Sequence, residues 1–360
     1  MDFMYKYGRL PKDRILLTNI NSATNKLFDK LRALDVKSLN ISDYNKRYFA
    51  SKLGRLLSYL QLYSYILAWS VVESNVPLNK FVFLDYGGGS GILSLLAKES
   101  NIGTVIYNDI YEVSCKDART IGESIGNQAD YYVQGDIDDV IDFLTKNGIN
   151  CNAVASYDVI EHIYDIEHFL RTLNKLSNDS LTIFMSSGAN IFNWRIRRSL
   201  MKRQYEVEHY DRVKEFGHKE RDTTRAYLKI RIEIISKYTD KISENEVKRL
   251  AISTRGMILS DIQKCVDTYL ETKQFPKGLE HPTNTCDPYT GNWMEHLMDP
   301  YYLQKVLTEE GFRVQILSGF YGAKENRVKR IVAKTLDIYI STFEKSGIKV
   351  APFFSIYAKK

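Results

Sequence analysis

A strong excess of one charge is missing from these 360 residues. Lys and Arg number 50 against 44 Asp and Glu, and the net +6 does not by itself demand a nucleic-acid partner. Cysteine is scarce. Cys115, Cys151, Cys265 and Cys286 form no C-x-x-C pair, which excludes a structural zinc module and a thioredoxin-like motif, and four are too few for a disulfide scaffold. No apolar run reaches the roughly 20 residues of a membrane span. The longest, Leu60 to Val72, carries Gln61 and Ser64. The opening MDFMYKYGRLPKDR lacks a signal-peptide core, and the chain has no internal repeat or low-complexity tract. A reduced, cytoplasmic protein without a membrane span is therefore expected. Apolar residues are plentiful, at 44%, enough for one large domain or two to three coupled ones. Tyrosine, with 25 copies, supplies polar-tipped aromatics suited to sites or to half-buried surface.

The texture changes along the chain. Residues 1–80 read as helical; Leu53, Leu56, Leu57, Leu60 and Tyr63 or Ile66 recur at helical spacing in a stretch without proline up to Pro77. From Lys80, short apolar runs alternate with helical patterns. Strands are predicted at 81–86, 104–109, 130–136, 152–159 and 181–187, with helices between them. That alternation predicts a parallel sheet covered on both faces, joined by right-handed crossovers. The alternation stops over 189–298, which reads as helical with no strand. Asp299-Pro300 restarts it with an N-cap and a helix-opening proline; strands follow at 312–321 and 350–358, with a helix over 327–345 between them. The expected domains are thus 1–80, a helical region; 81–188 with 299–360, the sheet; and 189–298, an insertion.

The decisive segment is Phe81-Val-Phe-Leu-Asp85-Tyr86-Gly87-Gly88-Gly89-Ser-Gly91-Ile. A buried strand ends in an acid, turns through glycines and becomes a helix. Glycines allow positive φ and bring backbone against a ligand, and the helix start offers free N–H groups. Such a turn binds a nucleoside-type cofactor at the carboxyl ends of the strands. The dinucleotide pattern G-x-G-x-x-G fails here, because its third glycine falls on Ile92.

Acids close the following strands. Asp109, followed by Ile110, can accept both hydroxyls of a ribose. Asp136 can take an adenine amino group, with Ile137 against the ring. The fourth strand ends Tyr157-Asp158-Val-Ile-Glu161-His162 beside the expected crevice. Each position has a plain alternative: Asp109 and Asp136 as helix N-caps, Glu161 as a solvated helix-start carboxylate, His162 as a satisfied imidazole.

With LDYGGGSG, YND, GDI and SYDVIEHIYD in hand, the chain resembles the class I S-adenosylmethionine-dependent methyltransferases, and in the last motif the small-molecule O-methyltransferases. The resemblance covers 81–188 and resumes at 299–360. It implies an α/β, Rossmann-like seven-stranded sheet, with the N-terminal helices and the insertion as additions. It also implies that Asp85, Tyr86 and Gly87 to Gly91 hold the methionine part, with Asp109 and Ile110 at the ribose, Asp136 and Ile137 at the adenine, and Tyr157 beside them. In some relatives a carboxylate-x-x-Glu-His run binds a divalent metal, which here would take Asp158, Glu161 and His162. His162 is also a candidate general base. The Asn/Asp-Pro-Pro-aromatic turn of base-nitrogen methylating enzymes is absent, since Ser156-Tyr-Asp-Val stands in its place.

The insertion, expected as an acceptor-binding lid, is basic where it opens. Trp194 to Arg231 holds twelve basic and six acidic residues. That suits a small-molecule or glycan-type acceptor of anionic character and, less well, a nucleic acid; a solvated face with pairs such as Glu208 and Arg212 is the alternative. His209 and His218 read as surface residues. The polar stretch His281 to His296 offers Trp293 for stacking, Glu295 or His296 for proton transfer, and Cys286 beside His281. The competing account is a surface turn with Asn292 capping a short helix. Two further readings stay open: an RNA-modifying enzyme, and a non-catalytic cofactor-binding scaffold.

Overall fold

The computed structural model describes residues 1–6, 8–213, 219, 222–324 and 326–360. His218 and the charged residues Lys214, Glu215, Glu220 and Arg221 lie outside the described residues. The chain forms two compact units: Met1–Ile160, Glu167–Gly188 and Asp299–Lys360 make the first, Glu161–Ile166 and Ala189–Met298 the second.

The first unit opens with helices α1 (Arg14–Ala33), α2 (Asp43–Leu53) and α3 (Leu56–Val71). The unbroken helical pattern of the sequence parts at Gly54 and Arg55, and Arg55 leaves the helical region at φ −131°. Helix α3 is apolar on nearly every side and is buried accordingly, between the sheet and α1. Strand and helix then alternate: β1 (Val82–Tyr86), α4 (Ile92–Glu99), β2 (Thr104–Asp109), α5 (Glu112–Ser124), β3 (Tyr131–Gln134), α6 (Ile137–Asn147), β4 (Ala153–Tyr157), α7 (Ile166–Thr172) and β5 (Thr182–Ser187).

The second unit holds α8 (Trp194–His209), α9 (Tyr227–Tyr238), α10 (Glu244–Ser253) and α11 (Leu259–Thr272) around a core of Ile230, Ile234, Leu250, Ile262 and Val266. The chain returns to the first unit with α12 (Pro300–Glu309), capped by Asp299 as its sequence predicts, then β6 (Arg313–Ser318), α13 (Arg327–Thr342), α14 (Glu344–Gly347) and β7 (Phe354–Lys359).

The seven strands run β3-β2-β1-β4-β5-β7-β6, with β7 antiparallel to both β5 and β6 and the other pairs parallel. Parallel register sets Asp85 beside Tyr107 on one side and Ala155 on the other. Alternate side chains share a sheet face. Phe83, Val105, Tyr107, Ala153, Ala155 and Phe184 therefore meet α1, α3, α4 and α5 in one core, and Asp85 stands on that same face at the carboxyl end of β1. Tyr86 points to the other face, against Phe169.

Candidate functional site

The turn after β1 is built by glycine for stated reasons. Gly87 and Gly89 have φ of 70° and 55°, left-handed values that side chains disfavour. Gly88 is excluded from change by space: a Cβ there would lie 2.6 Å from the Tyr107 ring and 2.8 Å from Asp85 Oδ2. The loop is tied down from β2. The Gly88 N–H donates to the Asn108 carbonyl at 2.8 Å, the Tyr107 hydroxyl to the Gly89 carbonyl at 2.6 Å, and the Gly89 N–H to Asp109 Oδ2 at 3.1 Å.

Asp85 is 2% exposed and accepts from the Ser94 N–H (3.0 Å) and hydroxyl (2.7 Å), both at Oδ2. Burial pushes its carboxyl up to about 6, against the pull of those two Ser94 bonds. Among the described residues no hydrogen bond uses Oδ1, and Asp85 lines a small cavity together with Tyr48, Lys52, Tyr63, Gly87 to Gly89, Leu93, Tyr157 and Asp158. The cavity measures about 50 Å3, room for a few waters or a small charged group. Asp158 lies on its rim at φ 53°, a strained value for a non-glycine residue, with Oδ1 accepting the Gly188 N–H at 2.9 Å.

Sequence reasoning missed Lys52, Tyr48 and Tyr63. They arrive on α2 and α3, and a remote contact sets α2 in place. Ser42 caps the helix at the Asn45 N–H, while its own hydroxyl and the Asn45 amide donate to Asp117 of α5. Lys52 is 6% exposed. Its Nζ donates to Tyr63 Oη at 3.0 Å and stands 4.6 Å from the Tyr48 ring centroid. Burial pulls its pKa down, but Tyr48 and Tyr63 more than offset that, so the group stays an ammonium.

The other strand-end residues divide. Asp109 is buried and spends one oxygen on Gly89 and the other on the Tyr111 N–H at 2.9 Å. A carboxylate has about four acceptor positions, so two remain. Asp136 is the N-cap of α6, in a capping box with Asp139. Ile137 is 3% exposed, whereas Ile110 is 55% exposed and offers the apolar surface that Ile137 does not.

In the second unit, His162 Nδ1 lies 2.7 Å from the Trp293 carbonyl, which fixes the proton on Nδ1 and leaves Nε2 as the basic nitrogen. Trp293 is buried, stacks on Tyr164 at 5.6 Å and donates to the Tyr164 carbonyl, so its ring is packing rather than an open platform. His296 stacks on His281 at 3.8 Å, and its Nδ1 reaches the Thr283 carbonyl at 2.5 Å. Burial, then the neighbouring His281, lowers it to about 4. Glu295 pairs with Arg203 at 2.6 Å. Burial pushes the Cys286 thiol up to about 12, which leaves it unreactive. Asn292 caps no helix; Asp287 instead closes a tight turn onto the N–H groups of Tyr289 and Thr290.

Two expectations are corrected. Among the described residues no three His, Cys, Asp or Glu side chains come together to hold a metal ion, so Asp158, Glu161 and His162 do not form the divalent site. Glu208 does not pair with Arg212. It pairs with Arg231, both buried, because a guanidinium placed in that core needs a charged partner. Lys202, Arg225 and Lys229 also face carboxylates, of Glu206, Glu233 and Asp211. Arg195, Arg197 and Arg198 stand exposed within the first five residues of α8.

No family model matches the sequence, and no curated protein matches it. Solved structures do. A SAM-dependent methyltransferase from Archaeoglobus fulgidus is 16% identical over 87% of this chain and 99% of that one, with a TM-score of 0.40. One from Mesorhizobium loti is 11% identical over 79% and 94%, at 0.37. One from Aquifex aeolicus is 10% identical over 79% and 84%, at 0.33. These are resemblances to solved structures; the sheet of this chain itself has the seven-stranded order 3-2-1-4-5-7-6, α/β and Rossmann-like as the sequence led us to expect.

Proposed function

We propose that this chain is an S-adenosylmethionine-dependent methyltransferase acting on a hydroxyl of a small or carrier-linked anionic metabolite, such as a sugar or glycan intermediate. One observation carries the reading: a buried ammonium, Lys52, and a buried carboxyl, Asp85, line the same small cavity beside a glycine turn at the carboxyl end of β1. That pair complements a zwitterion, an amino acid's carboxylate and ammonium. A nucleoside carrying an amino-acid tail fits the remainder. Asp109 has acceptor positions to spare for ribose hydroxyls, and Ile110 offers apolar surface at the next strand end. The cavity holds only the tail; the adenosine would lie across the exposed ends of β2 and β3.

When bound, S-adenosylmethionine supplies a methyl group on a positively charged sulfur. The chain's own residues bind and orient. Lys52 Nζ holds the carboxylate, Asp85 Oδ1 the ammonium, and the turn brings backbone against the ligand. Transfer is an in-line displacement, so holding the acceptor oxygen in line is most of the work. A hydroxyl must also lose its proton, and His162 Nε2 is the base we assign to it. Arg195, Arg197 and Arg198 are the exposed cations that favour an anionic acceptor.

Calorimetry with S-adenosylmethionine and its demethylated product tests the first step. Labelled cofactor incubated with a fractionated extract tests the second, with label expected in an anionic metabolite fraction. A chain that ignores both compounds yet binds a nicotinamide or flavin nucleotide refutes the reading.

A further inference from the structure

Strands β6 and β7 pair antiparallel along their full lengths, an arrangement a short turn can connect. Here thirty-five residues, Gly319 to Phe353, intervene, and they carry α13. The helix is fastened by one narrow face. Ala333, Asp337 and Ile340 are buried, and Asp337 accepts from the Tyr5 hydroxyl (2.7 Å), the Tyr321 N–H (2.7 Å) and the Gly322 N–H (3.2 Å). A narrow inner face of two apolar residues and a buried carboxyl is unlike the broad apolar stripe that fastens the usual surface helix.

Most of the large apolar residues are outside. Val328, Ile331, Val332, Ile338, Tyr339 and Phe343 are 70%, 62%, 54%, 43%, 40% and 54% exposed. At 100° per residue they fall within an arc of roughly 140°, opposite the buried face. Scattered exposed apolar residues need no explanation, but six on one face of a single helix, with only Thr335 and Thr342 among them, do. Charge runs beside it. Arg327, Arg330 and Lys334 border one edge, and Lys329, Lys345 and Lys349 are also exposed. From Gly322 to Val350 the sequence has seven basic residues against three acidic, and one of the three is the buried Asp337.

We propose that the outer face of α13 seats the protein on an anionic phospholipid surface, with the apolar stripe at the headgroup boundary and the basic edge against lipid phosphates. An exposed apolar stripe edged by Lys and Arg, ending in aromatic residues, is the pattern of a helix lying in that plane. A second copy of this chain is a poorer occupant, because it would bring the same positive edge to meet this one. None of these residues lines the cavity at β1, so this inference stands apart from the proposed reaction.

The test is flotation of the full chain with vesicles of phosphatidylcholine alone and of phosphatidylcholine mixed with an equal part of phosphatidylglycerol. Binding is expected to the mixed vesicles, to weaken sharply at 0.5 M salt, and to be absent on neutral ones. Arg327→Gln, Arg330→Gln and Lys334→Gln together should weaken it roughly a hundredfold. Ile331→Ser with Phe343→Ser should abolish it. All five residues are exposed, so melting temperature should hold for both variants. No binding to mixed vesicles at low salt overturns the proposal. So does binding that ignores both variants, or a stable dimer in sedimentation velocity that Ile331→Ser dissociates.

Discussion

Lys52 Nζ has a single hydrogen-bonding partner among the described residues, the Tyr63 hydroxyl at 3.0 Å, and it is 94% buried at the edge of the cavity that Asp85 also lines. Burying an ammonium against neutral hydroxyl and ring faces is costly, and proteins keep such groups where a ligand will complete them. Lys52→Met preserves much of the stem and removes the charge. Its melting temperature should fall somewhat, because the interactions with Tyr48 and Tyr63 that outweigh the cost of burying the ammonium are lost. Its affinity for S-adenosylmethionine should fall roughly 10- to 100-fold, the range of one hydrogen bond to a charged group. Calorimetry reads the affinity and differential scanning the stability. Unchanged affinity would remove Lys52 from the ligand's carboxylate.

Asp85 gives a pH signature of known sign. Its folded-state pKa is raised to about 6, chiefly by burial. Its contribution to stability is therefore complete below the unfolded value near 3.9 and is lost as pH rises through about 6. Two units correspond to about 3 kcal/mol. Relative to Asp85→Asn, the unliganded parent should lose stability between pH 4 and pH 7 in thermal melts. Ligand binding should trend the opposite way. An ammonium needs the ionised carboxylate, so affinity should climb from pH 5 to pH 7 in the parent and stay flat in the variant. Parallel profiles for the two proteins would count against Asp85 as the ammonium's partner.

Asp109 holds the Gly89 N–H, and in the proposed function it also takes the ribose. Asp109→Ala removes both and should reduce cofactor affinity at least about tenfold. It should also loosen the turn, visible as faster amide exchange at Gly89. Faster exchange with full affinity would confine Asp109 to holding the loop.

The strand–turn–helix at 81–92 was legible because everything that makes it is local: an apolar run, an acid, then glycines whose φ values only glycine adopts freely. The sheet's alternation was legible for the same reason, and Asp299-Pro300 opened α12 as written. What the sequence hid is tertiary. Gly54 and Arg55 split a pattern with no proline to mark the break. Lys52 reaches the cavity only because Ser42 and Asn45 bond Asp117, more than seventy residues on. Glu208 satisfied the i,i+4 rule with Arg212 on paper, yet it bonds Arg231, twenty-three residues away, because both are drawn into one core. Of the two isoleucines assigned to the cofactor, Ile137 went inside and Ile110 stayed out, a difference of packing that spacing cannot express.

His296 supplies a test of the second unit alone. Burial and the stacked His281 lower it to about 4, while its Nδ1 is held at the Thr283 carbonyl. A depressed histidine stabilises the fold fully above its unfolded value near 6.5, and that stability is lost as pH falls toward 4. The loss is at most about 3 kcal/mol, reduced by whatever solvent reaches the ring. Amide exchange of peptides from 283–298 should therefore quicken between pH 6.5 and pH 4, after correction for intrinsic rates. His296→Asn cannot take up a proton, so its exchange should stay level across that window. Such a low pKa also makes His296 a weak general base near neutrality, so the same variant should keep most of its methyl-transfer rate at pH 7.5. A large loss of rate in a variant whose exchange matches the parent's would assign the proton transfer to His296 and displace His162 from that role.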